Sequence, residues 1–402
     1  MALAGHSFFT MTTPPPFQKP ATFRQALPWI SLVAFMFVFS YLNRAVFGPL
    51  LGFIEQEMDL SHSESTLFLL YIAIGYALSV LASAITCSLM RPRHMVGLAT
   101  IASGITLMVL SQTHGKGMLS ILFFLVGVAS GHYFTAGLSV LRSLSHPEAW
   151  GRTIAVHELG PNASFILGPL LAAASATHFG WRATVFGLGA AGVLGGIFFL
   201  YKAKGGYETP MPTSFRGMKR LLTTPAFWVA TWLFGMSVAG EFAPYSVLGL
   251  LLQDEFGFSA ETAATLLGTS RIAPPLLVLY GGYLAERMGP VKSLRLCLCL
   301  HTASMALMTV PWLPTLTVGM FLQPVAAALT FPPLFLYIAD HFDIQEQPLL
   351  FAIMAPLASL FGSGLVPQML GLAGDLASFR LGFAIMAVFV GAALPFVRHK
   401  HT

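Results

Sequence analysis

Residues 202–224, KAKGGYETPMPTSFRGMKRLLTT, are the longest polar interruption inside a chain of 402 residues, and they fall at its midpoint. They hold five of the 21 Lys and Arg side chains. On either side the sequence divides into apolar runs, and about 20 apolar residues suffice for a helix to cross the hydrocarbon of a bilayer. Before the interruption we read runs at 27–51, 65–89, 95–112, 118–141, 153–176 and 183–201. After it come 225–252, 261–284, 293–311, 314–339, 349–374 and 379–398. The expected fold is an all-α membrane protein with twelve transmembrane helices in two pseudo-symmetric six-helix bundles. The bundles are 27–201 and 225–402, with 202–224 as a cytoplasmic linker and 1–26 as a disordered cytoplasmic tail.

Composition agrees. Only 9% of side chains are charged and 55% are hydrophobic, whereas a soluble domain carries about 25% charged residues. The mean hydropathy is +0.74. Sixteen acids and 21 bases cannot coat a water-soluble globule of this size. A soluble enzyme, a disordered chain and a secreted disulfide scaffold are excluded. Gly and Pro are abundant, which membrane helices tolerate. Strands are excluded as the main architecture, because barrel strands are short and alternate apolar with polar residues. The three cysteines, Cys87, Cys297 and Cys299, lie in or beside apolar runs and read as packing residues. The first 25 residues lack a charged segment followed by an apolar core, so no cleavable signal peptide is read.

Orientation follows from Lys and Arg, which concentrate on the cytoplasmic side. With both termini cytoplasmic, 16 bases lie inside and only Lys116, Arg182 and Arg380 outside, while Arg44 and Arg271 lie within spans. One loop dissents: DHFDIQEQP at 340–348 carries neither Lys nor Arg, yet this topology puts it inside. The net charge of +5 therefore reports sidedness in the lipid bilayer, not nucleic-acid binding. The expected location is a cell membrane, the bacterial inner membrane, as a multi-pass monomer.

A shift of 198 residues brings the halves into partial register. Ser61 meets Ser259, each ahead of a run and followed by an acid, Glu64 or Glu261, suited to helix capping. Pro169 meets Pro367, and Gly180-Trp181-Arg182 meets Ser378-Phe379-Arg380. Duplicated six-span halves are the repeat pattern of many secondary transporters.

The stretch GGYLAERMGPVKSLRL at 281–296 resembles the inner-loop signature of the major facilitator superfamily. Gly282, Glu286, Arg287, Gly289 and Lys292 fill its places. The resemblance implies close helix contact at the glycine, with the acid meeting helix N-termini and neighbouring bases. In the first-half copy, ASAITCSLMRPRHM, Cys87 stands where the acid should be and only Arg91 and Arg93 remain. Glu148, Gly151 and Arg152 fit the family's loop between spans four and five. Gly160-Pro161 and Gly168-Pro169 are similar to its antiporter motif, with different glycine spacing. The arginine that many members carry early in span four is absent.

Ionisable residues inside spans are costly and so are functional candidates. There are six: Arg44, His132, His157, Glu158, Glu241 and Arg271. Arg44 lies roughly 25 Å of helix rise into span one, and Glu241 is at nearly the same depth in span seven. In the family the spans that begin each three-helix group line a central cavity, which turns Arg44, His132 and Glu241 inward. Tyr41 shares a helix face with Arg44, and Tyr245 shares one with Glu241. Substrate-binding candidates are therefore Arg44, Arg271, His132, Tyr41, Glu241 and Tyr245. Arg44 and Glu241 also read as an ion pair closing the outer gate. Arg271, ahead of Pro274 and Pro275, reads as an anion ligand at a helix break or as a buried charge satisfied by carbonyls or Glu241. His132 is a cavity ligand or a helix-contact histidine. Glu241, Glu158 and His157 are candidates for proton exchange, the last two alternatively hydrated at the cytoplasmic mouth.

Arginine forks suit carboxylate or phosphate, and aromatic residues at 37, 41, 134, 234, 242 and 245 would wall the cavity. The expected function is alternating-access transport of a small organic anion, driven by protons. The alternatives are efflux of lipophilic cations or drugs by proton antiport and a non-transporting membrane sensor. No cofactor or metal is expected: no GxxxxGK[ST] loop is present, and HELGP at 157–161 lacks the second histidine of a zinc protease.

Overall fold

The computed structural model describes residues 22–207, 215–343 and 346–398. Most of the tail expected at 1–26 and the middle of the linker lie outside the described residues. Helix begins at Phe23, earlier than the apolar run, because the Thr22 side chain caps it by accepting from the Gln25 N–H at 3.3 Å.

Twelve crossings follow among the described residues. Span 1 is Phe23–Met58, span 2 His62–Leu89, span 3 Pro92–Ser111 and span 4 Lys116–Leu144. The helical stretch Trp150–Lys202 has 53 residues, too long for one crossing. It turns at Gly180, whose φ of 78° lies in the left-handed region, giving span 5 (150–179) and span 6 (181–202). Span 7 is Pro225–Phe256. Span 8 runs from 260 to 288, is interrupted at 271–273 and bends by 46° between 277 and 280. Span 9 is Pro290–Leu307, span 10 Leu313–His341, span 11 runs from 347 to 376, and span 12 opens with Phe379–Gly391.

The repeat is visible in side-chain pairing. Arg182, opening span 6, meets Glu57 at the end of span 1 at 2.5 Å. Exactly 198 residues on, Arg380 in span 12 meets Glu255 at the end of span 7 at 2.6 Å. Ser61 and Ser259 both cap their helices, and Glu64 completes a capping box at the first.

Two ends can be distinguished. The termini end carries residues 23, 91–93, 204–206, 289–295 and 397, where Arg93 N–H meets Gly206 O and Arg295 Nε donates to Val397 O. The far end carries the three bases expected outside, and each is paired: Lys116 with Glu64, Arg182 with Glu57, Arg380 with Glu255. One apolar cluster lies within the N-terminal half at the termini end and another within the C-terminal half. The largest, at the far end, draws residues from both halves, Phe47, Trp181, Leu251 and Phe383 among them. Gly48 of span 1 lies so close to span 7 that a Cβ there would fall 2.9 Å from Ser246 Cα. The halves thus share one apolar core at the far end, while towards the termini end each half has its own.

The inner-loop motif departs from expectation in two respects. Gly282 has open space around it; the close approach is made by Gly281, where a Cβ would lie 3.0 Å from Leu329 O of span 10. Glu286 is exposed and makes no ion pair among the described residues, and Arg287 lies over the ring of Tyr283 at 5.4 Å. Gly289 does hold a left-handed turn, φ 80°, between spans 8 and 9, and Lys292 is exposed. In the first half, Arg93 donates to Leu200 O at 2.9 Å and covers Tyr207, while Arg91 is exposed. Cys297 is buried and Cys299 exposed, both free; the Cys87 side chain lies outside the described residues.

Candidate functional site

Arg271 sits where span 8 stops being helical. The α-helix ends at Ser270 and resumes at Pro274, since a proline ring blocks the preceding turn. The arginine is 3% exposed. One terminal nitrogen donates to Gln323 Oε1 of span 10 at 3.0 Å, and Gln323 Nε2 donates to Gly240 O of span 7 at 2.5 Å. Its Nε has no partner among the described residues. The guanidinium carbon lies 5.1 Å from the ring centre of Tyr245 and 5.3 Å from that of Phe165. Phe165 belongs to span 5, so the arginine crosses the division between the halves. The Tyr245 hydroxyl is buried without a partner. It points at Gly168, where a Cβ would lie 2.5 Å from the oxygen. Arg271 and Tyr245 are among the residues expected from the sequence; Phe165 and Gln323 are not. Gln323 was open to detection as an amide inside an apolar run, whereas an aromatic in span 5 gives no such signal.

Arg44 and Glu241 do not pair, contrary to expectation. Arg44 is buried, its Nε has no partner, and its guanidinium carbon lies 4.0 Å from the Tyr76 ring centre and 5.0 Å from that of Tyr41. The depth estimate is right but the azimuth is not. At this level span 7 presents Phe242 to span 1, with Tyr41 and Phe242 ring centres 5.7 Å apart. Glu241, one residue earlier, is turned by about 100° and feels Arg271 as its basic neighbour. Tyr41 lies between the two regions and is acted on by both Glu241 and Arg44. Between Arg44, Gly48, Phe242 and Ser246 is a cavity of about 20 Å3, room for one water.

His132 turns away from this group. Its Nδ1 contacts Ser79 Oγ of span 2 and lies 3.0 Å from its own Val128 O, so it is a helix-contact histidine.

His157 is fully buried, which corrects the expectation that it hydrates at the cytoplasmic mouth. It stacks on Phe37 with centres 4.1 Å apart. Its protonation can be read from its neighbours. Tyr133 gives its only hydrogen to Val33 O at 2.7 Å, so its oxygen accepts from His157 Nε2 at 3.2 Å. Nε2 then carries the hydrogen, and Nδ1 faces Glu158 Oε1 at 3.4 Å. Glu158, in the break between two helical pieces of span 5, is half exposed.

No cluster of three or more His, Cys, Asp or Glu suited to a metal occurs among the described residues.

The family model described as Major Facilitator Superfamily matches residues 33–270 and 233–400. Among solved structures the chain is similar to a bacterial homolog of the human lysosomal transporter Spinster, inward-facing and unoccupied. That match has a TM-score of 0.78 at 14% identity, covering 94% of this chain and 97% of the other. It is also similar to a mutant of the nucleoside transporter NupG, with TM-score 0.73, 12% identity and 91% and 98% coverage. A third is the human organic anion transporter MFSD10, with TM-score 0.68, 16% identity and 94% and 100% coverage.

Proposed function

The chain belongs to the Major Facilitator Superfamily, a family of transporters, and we propose that it carries a small organic anion by alternating access, coupled to protons. Residues 27–201 and 225–402 are the moving halves, and the termini and the 202–224 linker are cytoplasmic. The observation that carries this reading is Arg271. It is a buried guanidinium with an unused Nε, held between Phe165 of one half and Tyr245 of the other. Such a group suits a carboxylate through parallel hydrogen bonds, and the rings suit an apolar or aromatic body. Its position on the division between the halves suits a ligand released when they rock. Arg44, Tyr41 and Glu241 extend the site towards span 1. His157 and Glu158 supply a group that takes up and releases a proton, Glu158 on the exposed side. The likeness to an organic anion transporter is at 16% identity and supports the fold alone, so the anion rests on the arginines.

The test is a thermal-shift screen of the purified protein against carboxylates, phosphates and amines at two pH values, followed by proteoliposome uptake of the best ligand. Stabilisation by carboxylates, lost in Arg271→Ala, is expected. Stabilisation by amines alone would favour cation efflux through Glu241 and Glu158.

A further inference from the structure

A second titratable cluster lies at the far end, away from the arginine site. Span 2 opens on His62, whose ring bridges two other helices. Nδ1 is 3.1 Å from Glu55 Oε2 of span 1, and Nε2 is 2.6 Å from Asp254 Oδ2 of span 7. Asp375 of span 11 accepts the backbone N–H groups of His62 and Ser63 at 2.9 Å each. The Phe379 ring of span 12 covers the imidazole at 4.8 Å. The other charges nearby are engaged elsewhere: Glu64 with Lys116 and the Ser61 N–H, Glu255 with Arg380. Glu55 also accepts from the Ser65 hydroxyl. The contacts to Asp254 and Asp375 cross between the halves, whereas Arg182–Glu57 and Arg380–Glu255 each stay within one half.

Both ring nitrogens face a carboxylate oxygen at hydrogen-bond distance, and each such contact needs a hydrogen. The closed arrangement therefore holds one proton more than a neutral imidazole between two carboxylates, and the two facing carboxylates favour keeping it on the ring. When the far end opens, Asp254 leaves with the C-terminal half and the ring keeps only Glu55. A free imidazole above about pH 6.5 carries one proton. We propose that His62, Glu55 and Asp254 form a proton-binding site that locks the far end, so that closing this end takes up one proton. The inference goes beyond the substrate site and does not depend on what that site carries.

Linkage gives the size and sign of the effect. Closure is fully favoured while His62 is protonated in both states, that is below the pKa of the open-state ring, which the retained Glu55 contact holds above the free value of about 6.5. Above that pH the closed-to-open ratio falls by about tenfold per pH unit, until the closed cluster itself loses the proton. The feature is not duplicated: a shift of 198 residues places Ala260 opposite His62 and Gln253 opposite Glu55.

The experiment measures distances between nitroxides on Gln112→Cys and Ala377→Cys, both exposed at the far end, with the native cysteines replaced. The protein is in nanodiscs without added solute, between pH 5.5 and 8.5. In the otherwise native protein the short-distance population should fall as pH rises, with a slope approaching tenfold per unit in the closed-to-open ratio. His62→Gln, which can donate from one end only, should flatten that slope. Asp254→Asn should also flatten it and lower the closed fraction, and it decides the matter if His62→Gln fails to fold. A distribution that does not move with pH in the parent protein overturns the proposal. So does either folded variant with the parent slope.

Discussion

Arg271→Lys keeps the positive charge and should nevertheless weaken solute binding by about ten- to a hundredfold. The guanidinium gives one terminal nitrogen to Gln323 Oε1 at 3.0 Å and leaves Nε free while lying across two rings. That geometry allows it to keep its structural bond and still present other N–H groups to a carboxylate. A lysine ammonium, a point charge on a different reach, must choose between Gln323 and the ligand. Losing one charge-assisted hydrogen bond costs about 1.5–3 kcal/mol, and every ~1.4 kcal/mol is tenfold in affinity. The assay is concentration-dependent initial uptake in proteoliposomes of the carboxylate found by the thermal screen. Protein amount and melting temperature are measured in parallel, because an orphaned Gln323 would also reduce stability. The loss should appear as a raised half-saturation concentration. A folded Arg271→Lys protein with the parent half-saturation concentration would refute the reasoning, since the arginine would then serve only to hold Gln323.

Gly168→Ala places a methyl 2.5 Å from the Tyr245 hydroxyl, so the tyrosine must shift. Melting should fall by an amount corresponding to about 1–3 kcal/mol and solute binding should weaken; an unchanged melt and affinity would remove the contact from the site. Exchanging Arg44 and Glu241 should not restore the transport lost in either single neutralisation, because Arg44 faces Tyr76 and the basic neighbour of Glu241 is Arg271 rather than Arg44; recovery in the swap would revive the gate pair. Glu158→Gln should abolish uptake driven by a pH gradient while leaving solute exchange across liposomes intact, since the proton shared with His157 is lost; intact gradient-driven uptake would exclude the pair. In intact cells lacking native thiols, an impermeant maleimide should label Gly117→Cys and spare Lys202→Cys, both exposed positions, and the reverse pattern would invert the topology.

What was legible in the sequence is what depends on rise along a helix. Run length and turn-forming breaks placed the spans, and depth placed Arg44 level with Glu241. What was not legible depends on rotation about the axis and on partners far away in the chain. One residue, about 100° of rotation, separates Phe242, which faces span 1, from Glu241, which does not. The motif glycine was misread by a single position for the same reason, Gly281 touching span 10 and Gly282 nothing. His62 escaped notice because it reads as a polar residue ahead of an apolar run. Its partners lie 7 residues back in Glu55 and across the division between the halves in Asp254.

The 198-residue register also separates what holds the fold from what the fold carries. Features present in both copies are helix caps and the far-end ion pairs Arg182–Glu57 and Arg380–Glu255. The ionisable groups inside the spans behave otherwise. Arg44 corresponds to Phe242, Arg271 to Ala73, Glu241 to Asn43, His157 to Ala355 and Glu158 to Pro356. Two halves of one architecture need the same packing, so a charge required for packing would be required in both. Arg44, Arg271 and Glu241 are costly inside a span, and in each case the other half forms its helix without a charge there. The packing common to both halves therefore does not call for these charges, which supports the proposal that their cost goes to binding the solute and the proton.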